Sequence, residues 1–151
     1  MKTIFRSTAM VGFILLVGCS GLRSSVKDAT QASPTPNASS IAPPVKVILA
    51  DGSSLTMEYS TIANLQLQTV LIAGKNELGP TIPDFLAAAG VKDFSQVTFS
   101  GLYNRTLTFT RDQLADDIIL ALREHPHAVN LESPNIPEAQ WVLHVFQVEI
   151  R

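Results

Sequence analysis

One thiol, three imidazoles and a few arginines and carboxylates carry the chemistry open to this sequence. The thiol is Cys19, the only cysteine in 151 residues. It follows an apolar run in the stretch Leu16-Val17-Gly18-Cys19-Ser20. A thiolate is a nucleophile, and with no second cysteine this one has no intrachain disulfide partner. His125, His127 and His144 are the only histidines. His125-Pro126-His127 offers two imidazoles to copper or zinc, with His144 or Glu124 as a third ligand. The commoner outcome for such residues is a surface loop of solvated imidazoles and a strand histidine satisfied by a neighbour, so no metal is expected. Asp116-Asp117 with Glu124 forms an acidic patch. Paired carboxylates do acid–base work when one is desolvated; a solvated helix end is the commoner arrangement. The sequence contains no nucleophile elbow, no phosphate-cradling glycine loop and no zinc-ligand cysteine pair. The balance leans away from an enzyme.

The elements around Cys19 explain its place. Lys2 and Arg6 open the chain, and an apolar run extends from Ala9 to Val17. A charged start, an apolar run and a small-residue exit make a secretory leader over residues 1–18. The run is far short of the roughly 20 residues a spanning helix needs. Leu16-Val17-Gly18-Cys19 resembles a bacterial lipobox. That resemblance implies diacylglycerol on the Cys19 sulfur, cleavage after Gly18 and acylation (palmitate or a similar chain) of the new terminus. Each buried methylene then contributes about 0.8 kcal/mol, and more than one chain gives stable attachment. Ser20 resembles the outer-membrane sorting pattern, so the expected location is the bacterial envelope, on the outer membrane facing the periplasm.

Losing residues 1–18 removes two of the 11 basic residues and none of the 13 acidic ones, which leaves a balance of −4. That charge argues against nucleic acid and against a polybasic membrane patch. Residues 19–44 are mostly Ser, Ala, Thr, Pro, Asn and Gln with few large apolar side chains. Such a segment buries too little apolar area to offset its ordering entropy. It reads as a lipidated flexible linker.

Residues 45–151 read as one α+β domain, a small mixed sheet with short covering helices. Val45 to Leu49 is β-branched and strand-like. Asp51-Gly52 marks a hairpin, with Leu55 to Tyr59 returning. Ser60 caps a short helical turn through Leu65, and Gln68 to Ala73 is a third strand closed by Gly74. After Gly79-Pro80, Thr81 is the N-cap of a helix and Pro83 and Asp84 suit its first turn. Ile82, Phe85, Leu86 and Ala89 form its apolar face; Gly90 ends it, and Val91 packs back. Gln96–Ser100 and Thr106–Thr110 alternate like a second hairpin around Gly101-Leu102-Tyr103-Asn104. Tyr103 either anchors a partner from that turn or folds back on the core. Thr110 with Gln113 resembles a capping box. Ile118 to Leu122 is short, continuous and apolar: a strand buried on both faces is favoured over a helix. Residues 124–139, rich in Pro and His, read as a loop. Trp141 to Ile150 alternates, with Val142, His144, Phe146, Val148 and Ile150 on one side.

Gly79-Pro80, Phe85-Leu86 and Ala89-Gly90-Val91 resemble the corresponding Gly-Pro to Ala-Gly-Val segment of the sulfite-oxidase-type molybdopterin-binding fold. Ile119-Leu120-Ala121 resembles an inner strand of that family, and Trp141-Val142 through Ile150 its closing strand. The resemblance spans roughly residues 66–151 and implies the scaffold. Catalytic members ligate molybdenum through a cysteine thiolate, and no cysteine lies between Val45 and Arg151. Arg105 and Arg111 match the pterin-phosphate grip by position alone. The expectation is a cofactor-free binding module with a small ligand or an envelope protein as partner. The alternative is a redox accessory or oxidoreductase that keeps a pterin or a metal.

Overall fold

Val45 and Val47 alternate with Lys46 and Ile48, and they form the first strand, β1 (Val45–Ile48). The computed structural model describes residues 43–151; the leader, Cys19 and the linker through residue 42 lie outside the described residues. Asp51-Gly52 turns the chain as its sequence predicts, with Gly52 at φ 83°. The Ser53 hydroxyl and amide both donate to Asp51 Oδ1, at 2.6 and 2.9 Å. They hold its exposed carboxyl below the usual range. β2 (Ser54–Met57) returns antiparallel, with Val47 opposite Leu55. α1 (Tyr59–Ala63) follows, but its N-cap is Glu58 and Ser60 lies inside its first turn.

β3 (Gln68–Ile72) turns at Ala73-Gly74 and pairs with β4 (Lys75–Gly79). The returning strand is not foreseen from its residues. Lys-Asn-Glu-Leu-Gly has no β-branched side chain to signal it. α2 (Ile82–Ala88) begins as predicted. Thr81 Oγ1 accepts the Asp84 N–H at 3.2 Å and its hydroxyl donates to Asp84 Oδ2 at 2.7 Å. Ile82, Phe85, Leu86 and Ala89 are all buried. Gly90, at φ 77°, ends the helix, and the Val91 N–H returns to the Leu86 carbonyl at 2.9 Å. Thr81→Ala is expected to cost about 1 kcal/mol, the usual worth of a side-chain cap. A urea midpoint unchanged by the substitution would show that this cap stabilises nothing.

β5 (Gln96–Ser100), β6 (Thr106–Thr110) and β9 (Gln147–Ile150) complete a five-stranded sheet of order β2-β1-β9-β5-β6. Only β1 and β9 run parallel. The capping box at Thr110 and Gln113 is present. β7 (Ile119–Arg123) is a strand, and it is buried on both sides as favoured. Leu120 joins the main core over the sheet, while Ile119 and Ala121 join a second cluster with Val70 and Ile72 of β3. Among the described residues the architecture is α+β, mostly strands in small sheets with a few short helices.

Two expectations are corrected. Residues 124–139 are not all loop: β8 (Ala128–Glu132) pairs with β7 and every one of its residues is buried. Nor does one face run unbroken from Trp141 to Ile150. His144 takes φ 45°, which flips the alternation. Val145 is buried and Phe146 exposed, and pairing in β9 begins only at Gln147.

Candidate functional site

Strand alternation builds a polar cleft from the β7–β8 hairpin. In antiparallel register, Ile119 lies opposite Glu132, Ala121 opposite Asn130 and Arg123 opposite Ala128. Directly opposed residues share a face. Val129 and Leu131 therefore enter the main core, and Asn130 and Glu132 turn the other way with Arg123. On β4, Lys75 opposes Ile72 and Glu77 opposes Val70. Val70 and Ile72 pack on β7, so Lys75 and Glu77 face the same side. Two hydrophobic alternations thus bring Lys75, Glu77, Arg123, Asn130 and Glu132 to one cleft of about 820 Å³.

At its floor, Arg123 donates to two carboxylates. Nη1 bonds Glu77 Oε2 and Nη2 bonds Glu132 Oε1. Burial pulls the guanidinium down, but the hydrogen bonds and charges of both glutamates outweigh it and hold Arg123 above its ordinary range. Glu132 is only 1% exposed. The Asn130 amide also donates to its Oε1 at 3.0 Å, and Asn130 Oδ1 accepts the backbone N–H of His144 at 2.9 Å. Glu132 Oε2 is buried with no hydrogen-bond partner among the described residues. A buried acceptor left unpaired costs about 1–3 kcal/mol, so this oxygen is an unusual feature of the floor. Opposite, Arg105 Nη1 donates to the carbonyls of Ala139 and Trp141 at 2.8 and 3.3 Å. The Trp141 indole N–H is committed to the Ile136 carbonyl at 3.0 Å, so its ring offers the cleft an apolar surface.

No protein-family model matches the chain, and no curated protein matches it. The site therefore stands on its own geometry.

The residues singled out from the sequence scatter. Arg105 lines the cleft; Arg111 does not, pairing with Asp93 at 3.1 Å and standing 5.9 Å over the Phe94 ring. The two do not form a joint anion grip. His127 and His144 line one small pocket, and the His125 ring lies 6.3 Å from that of His127. His127 stacks on Tyr59 at 5.0 Å, nearly parallel. Burial first, and then the Glu124 charge, raise the Tyr59 phenol above its ordinary value. Among the described residues, no group of three or more His, Cys, Asp or Glu is placed to hold a metal ion. Asp117 Oδ2 accepts from the Asn135 amide at 2.5 Å, which ties Asp117 to the loop after β8. Tyr103 is 78% exposed with φ 61° and does not fold back on the core.

Arg123, Asn130, Glu132, Glu77 and Lys75 were all missed as candidates from sequence. One signal existed. Ala128-Val-Asn-Leu-Glu132 alternates with period two, and its polar members fall opposite the Ile119/Ala121 side of a strand already judged buried on both faces.

Proposed function

We propose that this chain is a lipid-anchored envelope protein of a bacterium, held by lipid on Cys19, with residues 45–151 presented on the linker as a non-enzymatic binding module. The outer membrane, facing the periplasm, is its location in this reading. We propose further that the domain is a cofactor-free form of the sulfite-oxidase-type molybdopterin-binding scaffold. The placement of the shared residues supports this. Gly79-Pro80 closes β4, Phe85-Leu86 is buried in α2, and Ile119-Leu120-Ala121 lies in β7.

The observation that carries the binding role is the cleft, with its buried and half-satisfied Glu132. Its residues suit a pterin cofactor poorly. A pyranopterin brings a phosphate and an anionic dithiolene, and this floor already holds two carboxylates against one guanidinium. No thiol is available in residues 45–151 to ligate molybdenum. At the floor of the cleft both glutamates are tied to Arg123.

Two experiments test the parts separately. Cys19→Ser is expected to leave the protein uncleaved after Gly18 or without the lipid mass. If the variant is cleaved after Gly18 and still partitions with the membrane, the lipid-anchor reading is wrong. Native mass spectrometry with metal analysis on the mature protein is expected to return the apo mass without stoichiometric metal. A pterin mass or a stoichiometric metal would overturn the cofactor-free reading and favour the alternative of a redox accessory or oxidoreductase.

A further inference from the structure

We propose that the cleft takes a small zwitterion of the amino-acid type, with its ammonium group inward at Glu132 and Glu77 and its carboxylate outward at Lys75 and Arg105. This rests on the reading of the domain as a binding module and names the ligand class of that module's site.

The argument is one of charge and depth. At the floor lie two carboxylates and one guanidinium: Glu132 at 1% exposure, Glu77 at 16% and Arg123 at 29%. That leaves one negative charge in surplus where water is scarce. Arg123 occupies one oxygen of each carboxylate, and Glu132 Oε2 has no partner among the described residues. What this oxygen lacks is a donor, and the surplus charge favours a cationic donor over a neutral one. The rest of the lining, taken as the rim, is opposite in sign. Lys75, exposed, and Arg105, half-buried, stand there against the single exposed carboxylate of Glu138. Lys75 has no ion-pair partner among the described residues, and Arg105 is held only by backbone carbonyls. A simple cation would meet the floor well but the rim badly, and a simple anion the reverse. A molecule carrying both charges satisfies both ends. Ile72, Trp141 and Leu143 supply apolar wall between them, which suits a side chain of modest size.

Trp141 is the only tryptophan of the chain and lines the cleft, so its fluorescence reports on this site alone. The test uses the full mature lipoprotein in detergent. Each standard amino acid other than tryptophan is titrated, followed by the decarboxylated amine and the deaminated acid of the best one. Methyl β-D-glucoside and inorganic phosphate serve as neutral and anionic probes. We expect at least one amino acid to shift Trp141 emission saturably at millimolar or tighter affinity, about tenfold better than either half-charged analogue. Glu132→Gln should weaken it about tenfold, and so should Lys75→Glu, an exposed rim change that spares the fold. Equal binding of the amine alone, or indifference to Lys75→Glu, overturns the proposal. Saturation by the glucoside or by phosphate with silence from every amino acid also overturns it, but leaves the binding module standing. Silence from every probe removes both the zwitterion and this cleft as the module's site.

Discussion

Gly79→Ala is expected to abolish cooperative folding of the domain. A Cβ built at Gly79 would lie 2.1 Å from the Leu120 carbonyl oxygen, 2.6 Å from its carbon and 3.0 Å from the Ala121 Cα. All three atoms are backbone of β7, and none moves by a side-chain rotation. β7 cannot withdraw, because Leu120 is fully buried in the main core and Ile119 and Ala121 in the second cluster. The chain after Gly79 is also stitched to it. The Leu120 N–H donates to the Pro80 carbonyl at 3.0 Å, and the Ile82 N–H to the Ile118 carbonyl at 3.2 Å. Relieving the clash therefore opens both cores together. Losses above about 4 kcal/mol are exceptional for one substitution, yet total stability is only about 5–15 kcal/mol. Gly74→Ala is the control. Gly74 has φ 79° with nothing within 4 Å of a built Cβ, so it pays only for left-handed backbone, about 1–2 kcal/mol. The measurement is urea unfolding followed by Trp141 emission. A sharp Gly79→Ala transition within about 1 kcal/mol of wild type would mean that β4 does not lie against β7 as described.

The glycine shows what was legible in this chain. Gly79-Pro80 stood out as the start of a helix, and the helix is there, since its cap, its Pro83 and its apolar spacing are all local signals. The close approach to β7 is not local, and nothing near Gly79 announces it. The same division runs through the domain. Asp51-Gly52 and the Gln96–Thr110 pair were readable because turn chemistry and alternation sit within a few residues. β4 was hidden because it has almost no apolar face of its own and is held by β3 and β7. β8 was hidden for the opposite reason. Asn130 and Glu132 look like a solvent-facing alternation, and the structure buries them because Arg123 and the Asn130 amide pair one oxygen of Glu132 and the His144 backbone N–H pairs Asn130. A polar residue that is buried because of a partner 9 or 14 positions away carries no mark in its own neighbourhood. The candidate site is made almost wholly of such residues, so the sequence led to Arg105 and to the histidines and passed over the floor. The His144 flip was hidden too, since a positive φ at a histidine has no signal in the chain.

Arg123→Leu should destabilise the domain by about 3 kcal/mol at neutral pH. Removing one partner of a buried ion pair typically costs about 3–5 kcal/mol, because the other charge is left buried and unpaired. Here the lower end applies, since the Arg123 side chain keeps 29% exposure. Two carboxylates are stranded together, and Glu132, at 1% exposure, has only the Asn130 amide left to support it. The double variant Arg123→Leu with Glu132→Gln should recover part of the loss at pH 7, because it removes the stranded charge along with its partner. Additivity of the two single changes would show that Arg123 and Glu132 do not act together. A double variant no more stable than Arg123→Leu alone would show that Arg123 supports the fold by packing of its aliphatic stem instead of by charge. The expected pattern places the floor's negative surplus, on which the cleft's ligand preference depends, under the control of one guanidinium.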